Sequence, residues 1–468
     1  MPIRLHKGGK EMKITVIGGG GARTPLMVQA VIERAEQLGL RELCLMDIDQ
    51  RGLDLMAGLT RSLEKKAAGR LTVNRTTDLK MALYGADFVL TTFRVGNMPA
   101  RVIDERVPLK LGLLGQETTG AGGFAMAMRT IPEIKRIIDL MKAGCPDAWL
   151  VNFANPSGLI TEMILTVGGW RRAVGICDAP SSMQAFIAAL LKLPREAVRI
   201  EYFGLNHLGW IRRIWAGGQD VLPDLIGMAV QTGHLPEMAF SPRFIAQLGM
   251  LPNEYLYYYY NSRQAVQHIQ KAEQTRGEQI LEANQRLFAR LDELGSRGDE
   301  KKMQVIYEDY LSGRGQSYMK TETDRSEHDE HDAEIMAEAA KNSGGYAGVA
   351  LDLIESLAQG KERVMILNTL NRGAISGMDE REVVEIPVLV GRDRIEPLAV
   401  GEVPGHALGL MKQVKAYEQM TIAAAMMGSY EKALTALTIH PLVADEALAR
   451  QVLDQYILLH EGYFPRLS

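Results

Sequence analysis

Cysteine is nearly absent: Cys44, Cys145 and Cys177 are the only three in 468 residues. An odd number, spread this far apart, is not a disulfide framework, and the usage fits a reducing compartment. An excess of one charge is also lacking, since 53 Lys and Arg face 57 Asp and Glu for a formal net charge of -4. That balance argues against general binding of nucleic acid or of acidic membranes. No apolar run approaches the ~20 residues that span a bilayer. The first residues, Met1 to Glu11, are polar and lack the apolar core of a signal peptide. A soluble cytoplasmic protein is expected.

What remains is an ordinary globular composition, 46% hydrophobic and 24% charged, in a chain long enough for two domains. Lys13 to Gly18 is a short β-branched run ending in glycine, the pattern of a buried parallel strand. A helix is predicted from Thr24 to Leu38, stopped by Gly39. Further strands are predicted at Leu43–Met46, Phe88–Thr92, Ala148–Asn152 and Ala173–Ile176, with helices at Arg129–Met141 and Pro180–Leu191 between and after them. Strands alternating with helices predict a parallel sheet with right-handed crossovers.

Beyond Glu201 the character changes. Long charged helices are predicted over Arg263–Leu294 and Asp332–Gln359, strands over Arg363–Asn368 and Val383–Val390, and nearly continuous helix from His406 onward. Leu294–Lys302 and Asp324–Asp332 read as loops. The expected fold is therefore α/β: a Rossmann-type doubly wound parallel sheet over 12–200, then a C-terminal α+β domain over 201–468 for substrate binding and oligomerisation.

The run Gly18-Gly19-Gly20-Gly21 lies between that first strand and first helix. Residues without side chains let the backbone approach a pyrophosphate, and helix N-terminal amides can bond to it. Asp47, at the end of the second strand and ~20–30 residues beyond the glycines, can accept from ribose hydroxyls and favours NAD over NADP. A strand-end turn is the bland alternative for Asp47 and Asp49.

Four polar clusters lie at predicted strand ends, where ligands of a doubly wound sheet collect. Arg94 and Arg101 suit an anionic substrate such as a phosphate, through the planar guanidinium fork; surface arginine is the alternative. Gly115-Gln116-Glu117-Thr118-Thr119-Gly120-Ala121-Gly122-Gly123 is too polar and glycine-rich for core and reads as a mobile connection. Asn152-Phe153-Ala154-Asn155-Pro156 offers two amides for sugar hydroxyls, although a turn cap is the commoner use of Asn-Pro. Cys177-Asp178 with Asn206-His207 supplies a thiolate and an imidazole for a divalent metal with positions left open for substrate oxygens; packing is the ordinary role of a lone strand-end Cys.

Together these motifs resemble the NAD- and divalent-metal-dependent glycosidases of glycoside hydrolase family four, an exception to two-carboxylate hydrolysis. The resemblance runs from Met12 to the last helices and also takes in Phe203-Gly204-Leu205-Asn206-His207 and Leu251-Pro252-Asn253-Glu254-Tyr255-Leu256. It implies a fold like that of lactate and malate dehydrogenases, with NAD held by Gly18 to Gly21, Asp47 and Asn152. It further implies a divalent metal, usually manganese, on Cys177 and His207. Arg101 and Asn155 match positions that contact the sugar, Arg94 joins them as a substrate contact, and Arg276 matches a position that holds the substrate phosphate. Asp178 matches a proton donor, Tyr255 the catalytic base, and Glu117 a residue that increases its basicity.

The implied chemistry is oxidation of the sugar at C3, deprotonation at C2, loss of the aglycone, addition of water and re-reduction, so that NAD is recycled. Met98-Pro99-Ala100-Arg101, Asp104-Glu105-Arg106 and Gly344-Gly345-Tyr346 look like the 6-phospho-β-glucosidases, whereas Asp rather than Asn after Cys177 looks like the phospho-α-glucosidases. The expected substrate is a phosphorylated disaccharide or glucoside, hydrolysed as a 6-phospho-β-glucoside. A 6-phospho-α-glucosidase or a 6-phospho-galactosidase is the alternative within the family. A NAD-dependent hydroxy-acid dehydrogenase and a non-catalytic nucleotide sensor are the rivals from other classes. A homo-oligomer, dimer or tetramer, is expected.

Overall fold

A computed structural model describes residues 12–235, 239–316, 319–323, 334–335, 337–339 and 344–468. The leader before Met12 and the loop expected at Asp324–Asp332 lie outside the described residues, as does most of the first part of the helix expected from Asp332. Six strands, β1 (Met12–Ile17), β2 (Leu40–Met46), β3 (Thr72–Thr76), β4 (Phe88–Thr91), β5 (Trp149–Asn152) and β6 (Ala173–Gly175), form a parallel sheet in the order 3-2-1-4-5-6. This is the Rossmann order, which reverses direction between β1 and β4 and leaves a crevice at their C-terminal ends. The strands read as continuous apolar runs because helices cover both faces; β4 and β5 are buried at every position.

The sheet does not end where the sequence suggested. β11 (Arg363–Leu370) adds antiparallel to β6, then β12 (Val383–Gly391) and β13 (Arg394–Pro397) follow, giving nine strands in one layer. These strands lie beyond the expected boundary at residue 200 and belong to the sheet begun by β1. Burial confirms the continuity, since one apolar cluster extends from Ile14 to Tyr456. What is separate after residue 197 is a small antiparallel sheet of β7 (Val198–Leu205), β8 (Leu208–Ala216), β9 (Gln219–Asp220) and β10 (Leu251–Pro252), which the sequence reading did not anticipate.

Two helix expectations change for identifiable reasons. The helix expected from Arg129 starts at Gly120 and runs to Gly144, so the supposed mobile connection ends in buried helix. A Cβ on Gly122 would stand 2.1 Å from the Gln116 carbonyl oxygen, so only glycine lets the preceding loop lie flat on the helix. The helix expected over Arg263–Leu294 is two, Ser262–Lys271 and Arg276–Ser296, because Thr275 and Glu278 form a capping box that starts the second. The loop expected at Leu294–Lys302 shrinks to a turn between Ser296 and Glu300. From Gly405 onward the chain is helical as expected, in three helices (Gly405–Met427, Tyr430–Ile439 and Glu446–Leu459). No helix among the described residues is long and apolar enough to cross a membrane.

Candidate active site

A cleft of about 2450 Å3 opens at the C-terminal ends of β1 and β4. Gly18, Gly20, Gly21 and Asp47 line it. Gly18 has φ +103°, and a Cβ there would lie 2.8 Å from the Phe93 amide nitrogen, so the turn can pass β4 only as glycine. Gly19 faces Leu45 instead of the cleft. The Gly18 and Gly19 amides both donate to the Met46 carbonyl at 2.8 Å, and the Gly20 amide donates to Asp47 Oδ2 at 2.8 Å. Asp47 thus shapes the turn while keeping lone pairs for further donors. Tyr307, on the helix Glu300–Gln316, clamps the same turn by donating to the Ala22 carbonyl at 2.8 Å.

Arg94, after β4, Arg101, on the helix Asn97–Lys110, Glu117, between that helix and Gly120–Gly144, and Asn155, after β5, line the cleft together. Arg94 and Arg101 both pair with Glu117, Arg101 at 2.8 Å. Arg101 also donates to Glu105 at 2.8 Å, and Glu105 accepts from the Gly277 amide at 2.6 Å, tying this helix to the start of Arg276–Ser296. Arg101 is therefore a buried side chain paired with two carboxylates rather than surface arginine. Glu105 sits four residues on from Arg101, a helix-face spacing that carried the pair in the sequence. Burial alone would raise the Glu117 carboxyl, but the Arg101 and Arg94 guanidiniums outweigh it and hold it down at about 2.

That depression has a consequence for stability. Glu117 ordinarily titrates near 4.5, so its stabilising contribution is complete above that value and is lost as pH falls through about 2. Glu117→Gln is expected to cost about 3 kcal/mol at pH 6, with the gap to wild type more than halved at pH 3. Urea denaturation of both proteins at the two pH values measures it. A gap that does not change with pH would mean that Glu117 carries no depressed charge.

Asn152 departs from expectation. It is fully buried, its Oδ1 accepts from Thr91 Oγ1 at 2.8 Å and the Ala154 amide at 3.1 Å, and its Nδ2 donates to Ala154, Ser157 and Thr161. It organises the strand-end turn from beneath and does not reach the cleft, so it is not a direct cofactor contact. Asn155, three residues on, is the amide that does line the cleft.

Cys177 and His207 lie one layer below the cleft surface, each 5% exposed. Cys177 follows β6, and His207 occupies the two-residue turn between β7 and β8 at φ +62°. Sγ and Nε2 are 3.6 Å apart. Zinc-type tetrahedral bonds of about 2.3 Å to sulfur and 2.0–2.1 Å to nitrogen would separate such donors by about 3.6 Å, so the spacing leaves room for a shared divalent ion. Burial lowers His207 to about 4, leaving a neutral ring able to ligate. Burial, with the Glu385 and Asp178 carboxyls, pushes the Cys177 thiol well up. Among the described residues no group of three or more His, Cys, Asp or Glu could hold a metal, so two protein ligands are what the fold offers.

Tyr255 reaches the same point from β10. Leu251 and Pro252 pair with Ile211 and Trp210 of β8, and Asn253 Oδ1 caps the following turn by accepting from the Tyr255 amide at 2.9 Å. The result stacks the Tyr255 ring on His207, with centroids 3.9 Å apart and planes 15° from parallel. The Arg101 charge reaches this phenol. Asp178, beside Cys177 and in the cleft wall, is pushed up by burial, with Arg23 and the Tyr346 hydroxyl opposing only in part. The Arg23 guanidinium stands 5.1 Å over the Tyr346 ring. Arg23 was not legible as a site residue, because the glycine run gives no direction for the side chain that ends it. Arg276 also lines the cleft and donates to the Arg314 carbonyl at 2.8 Å, beside Arg314 and Lys320 in the same wall.

The model for the family 4 glycosyl hydrolases matches residues 13–193, and that for their C-terminal domain matches 202–443. A probable 6-phospho-beta-glucosidase of Bacillus subtilis is 33% identical over 98% of both chains, and the phospho-alpha-glucosidase PagL of Clostridium acetobutylicum is 30% identical over 98% of this chain and 100% of its own. The 6-phospho-beta glucosidase of Thermotoga maritima, solved with NAD and glucose-6-phosphate, superposes with a TM-score of 0.84 at 28% identity, covering 98% of this chain and 100% of that one. A second structure of that enzyme, with manganese as well, has a TM-score of 0.79 at 29% identity and the same coverage. The chain belongs to family 4 of the glycosyl hydrolases.

Proposed function

We propose that this protein is a NAD- and manganese-dependent 6-phosphoglucosidase that hydrolyses 6-phospho-β-glucosides to glucose 6-phosphate and an aglycone. The observation that carries the reading is the stack of Tyr255 on His207, 3.6 Å from Cys177 and open to an arginine-rich cleft. A phenol with an ordinary pKa near ~10 is a poor base at neutral pH, and cationic neighbours are what would make it an effective one. The cofactors crystallised with the Thermotoga enzyme, NAD and manganese, support the same assignment.

When bound, NAD and the divalent ion would supply hydride acceptance at C3 of the sugar and polarisation of the oxygens there. Gly18, Gly20, Gly21 and Asp47 would hold the nucleotide, and Cys177 and His207 the metal. Tyr255 takes the proton from C2. Asp178, whose carboxyl is pushed up by burial, gives a proton to the departing aglycone oxygen. Arg276 holds the substrate phosphate, while Arg94, Arg101 and Asn155 orient the sugar. Glu117 keeps Arg94 and Arg101 in place by pairing with both.

The β preference rests on the Bacillus relative and on the Met98-Pro99-Ala100-Arg101 motif. A 6-phospho-α-glucosidase is the second reading, favoured by Asp178 following Cys177 and by the Clostridium relative. Both anomers of p-nitrophenyl glucoside 6-phosphate, assayed with NAD and manganese under reducing conditions, decide between them. Faster release from the β-anomer is expected. Faster release from the α-anomer selects the second reading, and release from neither removes the assignment. NADH that accumulates without glycoside cleavage would point to a dehydrogenase.

A further inference from the structure

We propose that Glu385 is the positioning residue that sets the separation of Cys177 and His207, and with it the affinity of that pair for a divalent cation; this rests on the metal reading above. Glu385 lies on β12 and is 1% exposed. Three donors converge on its carboxylate: the Tyr202 hydroxyl at 2.9 Å, Asn206 Nδ2 at 3.2 Å and Asn368 Nδ2 at 3.0 Å.

One of these donors lies in the segment that carries His207, and another pairs with the strand that leads to Cys177. Asn206 precedes His207 in the β7–β8 turn, so its hold on Glu385 locates the imidazole. Its own Oδ1 accepts from the Gly158 amide at 3.4 Å, which anchors the turn a second time. Asn368 is the β11 partner of Gly175, two residues before Cys177. No side chain fits at Gly175, where a Cβ would lie 2.9 Å from Asn368 Cβ and 2.2 Å from Thr161 Oγ1. Asn368 and Glu385 are themselves register partners across β11 and β12. The Glu385 carboxylate is thus hydrogen-bonded to the His207 turn on one side and, through Asn368, packed on the Cys177 strand on the other.

The chemistry of the group matters as well as its place. A buried carboxyl is costly to desolvate, and among the described residues no Lys or Arg forms an ion pair with Glu385. Groups that orient metal ligands typically change metal affinity by about 10–100-fold when removed.

The test is a Mn2+ titration of the metal-free, full-length protein, followed by the electron paramagnetic resonance of free Mn2+, for wild type, Glu385→Gln and Glu385→Asp. NAD affinity and Tm are measured alongside, since a merely structural role would lower these and leave the manganese isotherm in step with them. Glu385→Gln is expected to weaken Mn2+ binding about 10-fold or more with NAD affinity unchanged, and Glu385→Asp, which keeps the charge but withdraws it, to fall between. If the Gln variant does not fold, the Asp variant decides: weaker Mn2+ binding supports the proposal and wild-type binding overturns it. Wild-type protein that binds no Mn2+ overturns the metal reading together with this inference. Tight binding in wild type and in both variants overturns only the role of Glu385.

Discussion

Tyr255→Phe is expected to lower kcat by about 10²–10⁴-fold, the range over which a positioned general base contributes, while NAD binds as in wild type. The substitution removes one oxygen and keeps the ring, so the 3.9 Å stack on His207 and the capped turn from Asn253 survive. Tm is expected to stay close to wild type, because the ring stack is kept. Solvent deuterium exchange at C2 of the bound sugar separates this role from simple substrate binding. The variant should bind glucose 6-phosphate yet fail to exchange its C2 proton. Exchange at the wild-type rate would move the base elsewhere; Tyr258, the neighbour that also lines the cleft, would be the next candidate.

Cys177→Ser is the second large effect, expected to cost more than the about 10–100-fold in Mn2+ affinity that supporting groups carry, and to abolish activity at micromolar manganese. A thiol bound to a cation can ionise and supply an anionic ligand, whereas a serine hydroxyl stays protonated. Stability should change little, because Cys177 is buried but stands outside the continuous apolar core, and the new hydroxyl faces His207 Nε2. Manganese titration with thermal denaturation in parallel measures both terms. A serine variant that keeps wild-type manganese affinity would remove Cys177 from the site.

The two substitutions probe residues that differ in how far the sequence revealed them. Cys177 stands at a strand end that apolar periodicity makes visible, and β6 was expected over the preceding residues. The Rossmann half was legible for the same reason: a β-branched run, a glycine turn and a capped amphipathic helix are local patterns. Helix Gly120–Gly144 was misread at its start because glycine composition signals loop, whereas here it signals contact with the carbonyls of Gln116 and Thr118. Asn152 was placed at the right strand end, but nothing local says that its amide turns inward to Thr91 and Ser157 rather than outward to a ligand.

The nine-stranded sheet shows the same limit on a larger scale. β11 and β12 were visible as strands, yet their attachment to β6 depends on a contact between Asn368 and Gly175, far apart in the chain. Tyr255 and His207 meet only because β10 pairs with β8. The sequence by itself determined the strand–turn–helix order, the residue types at the strand ends, and hence the candidate nucleotide turn and metal pair, since these follow from short-range periodicity and backbone sterics. Only the tertiary structure decided which of those side chains face one cleft, which are spent on internal hydrogen bonds, and how burial and neighbouring charge set the protonation of Glu117, Asp178 and His207. Those properties come from desolvation and Coulomb interaction between groups that the chain brings together only when its sheets have formed.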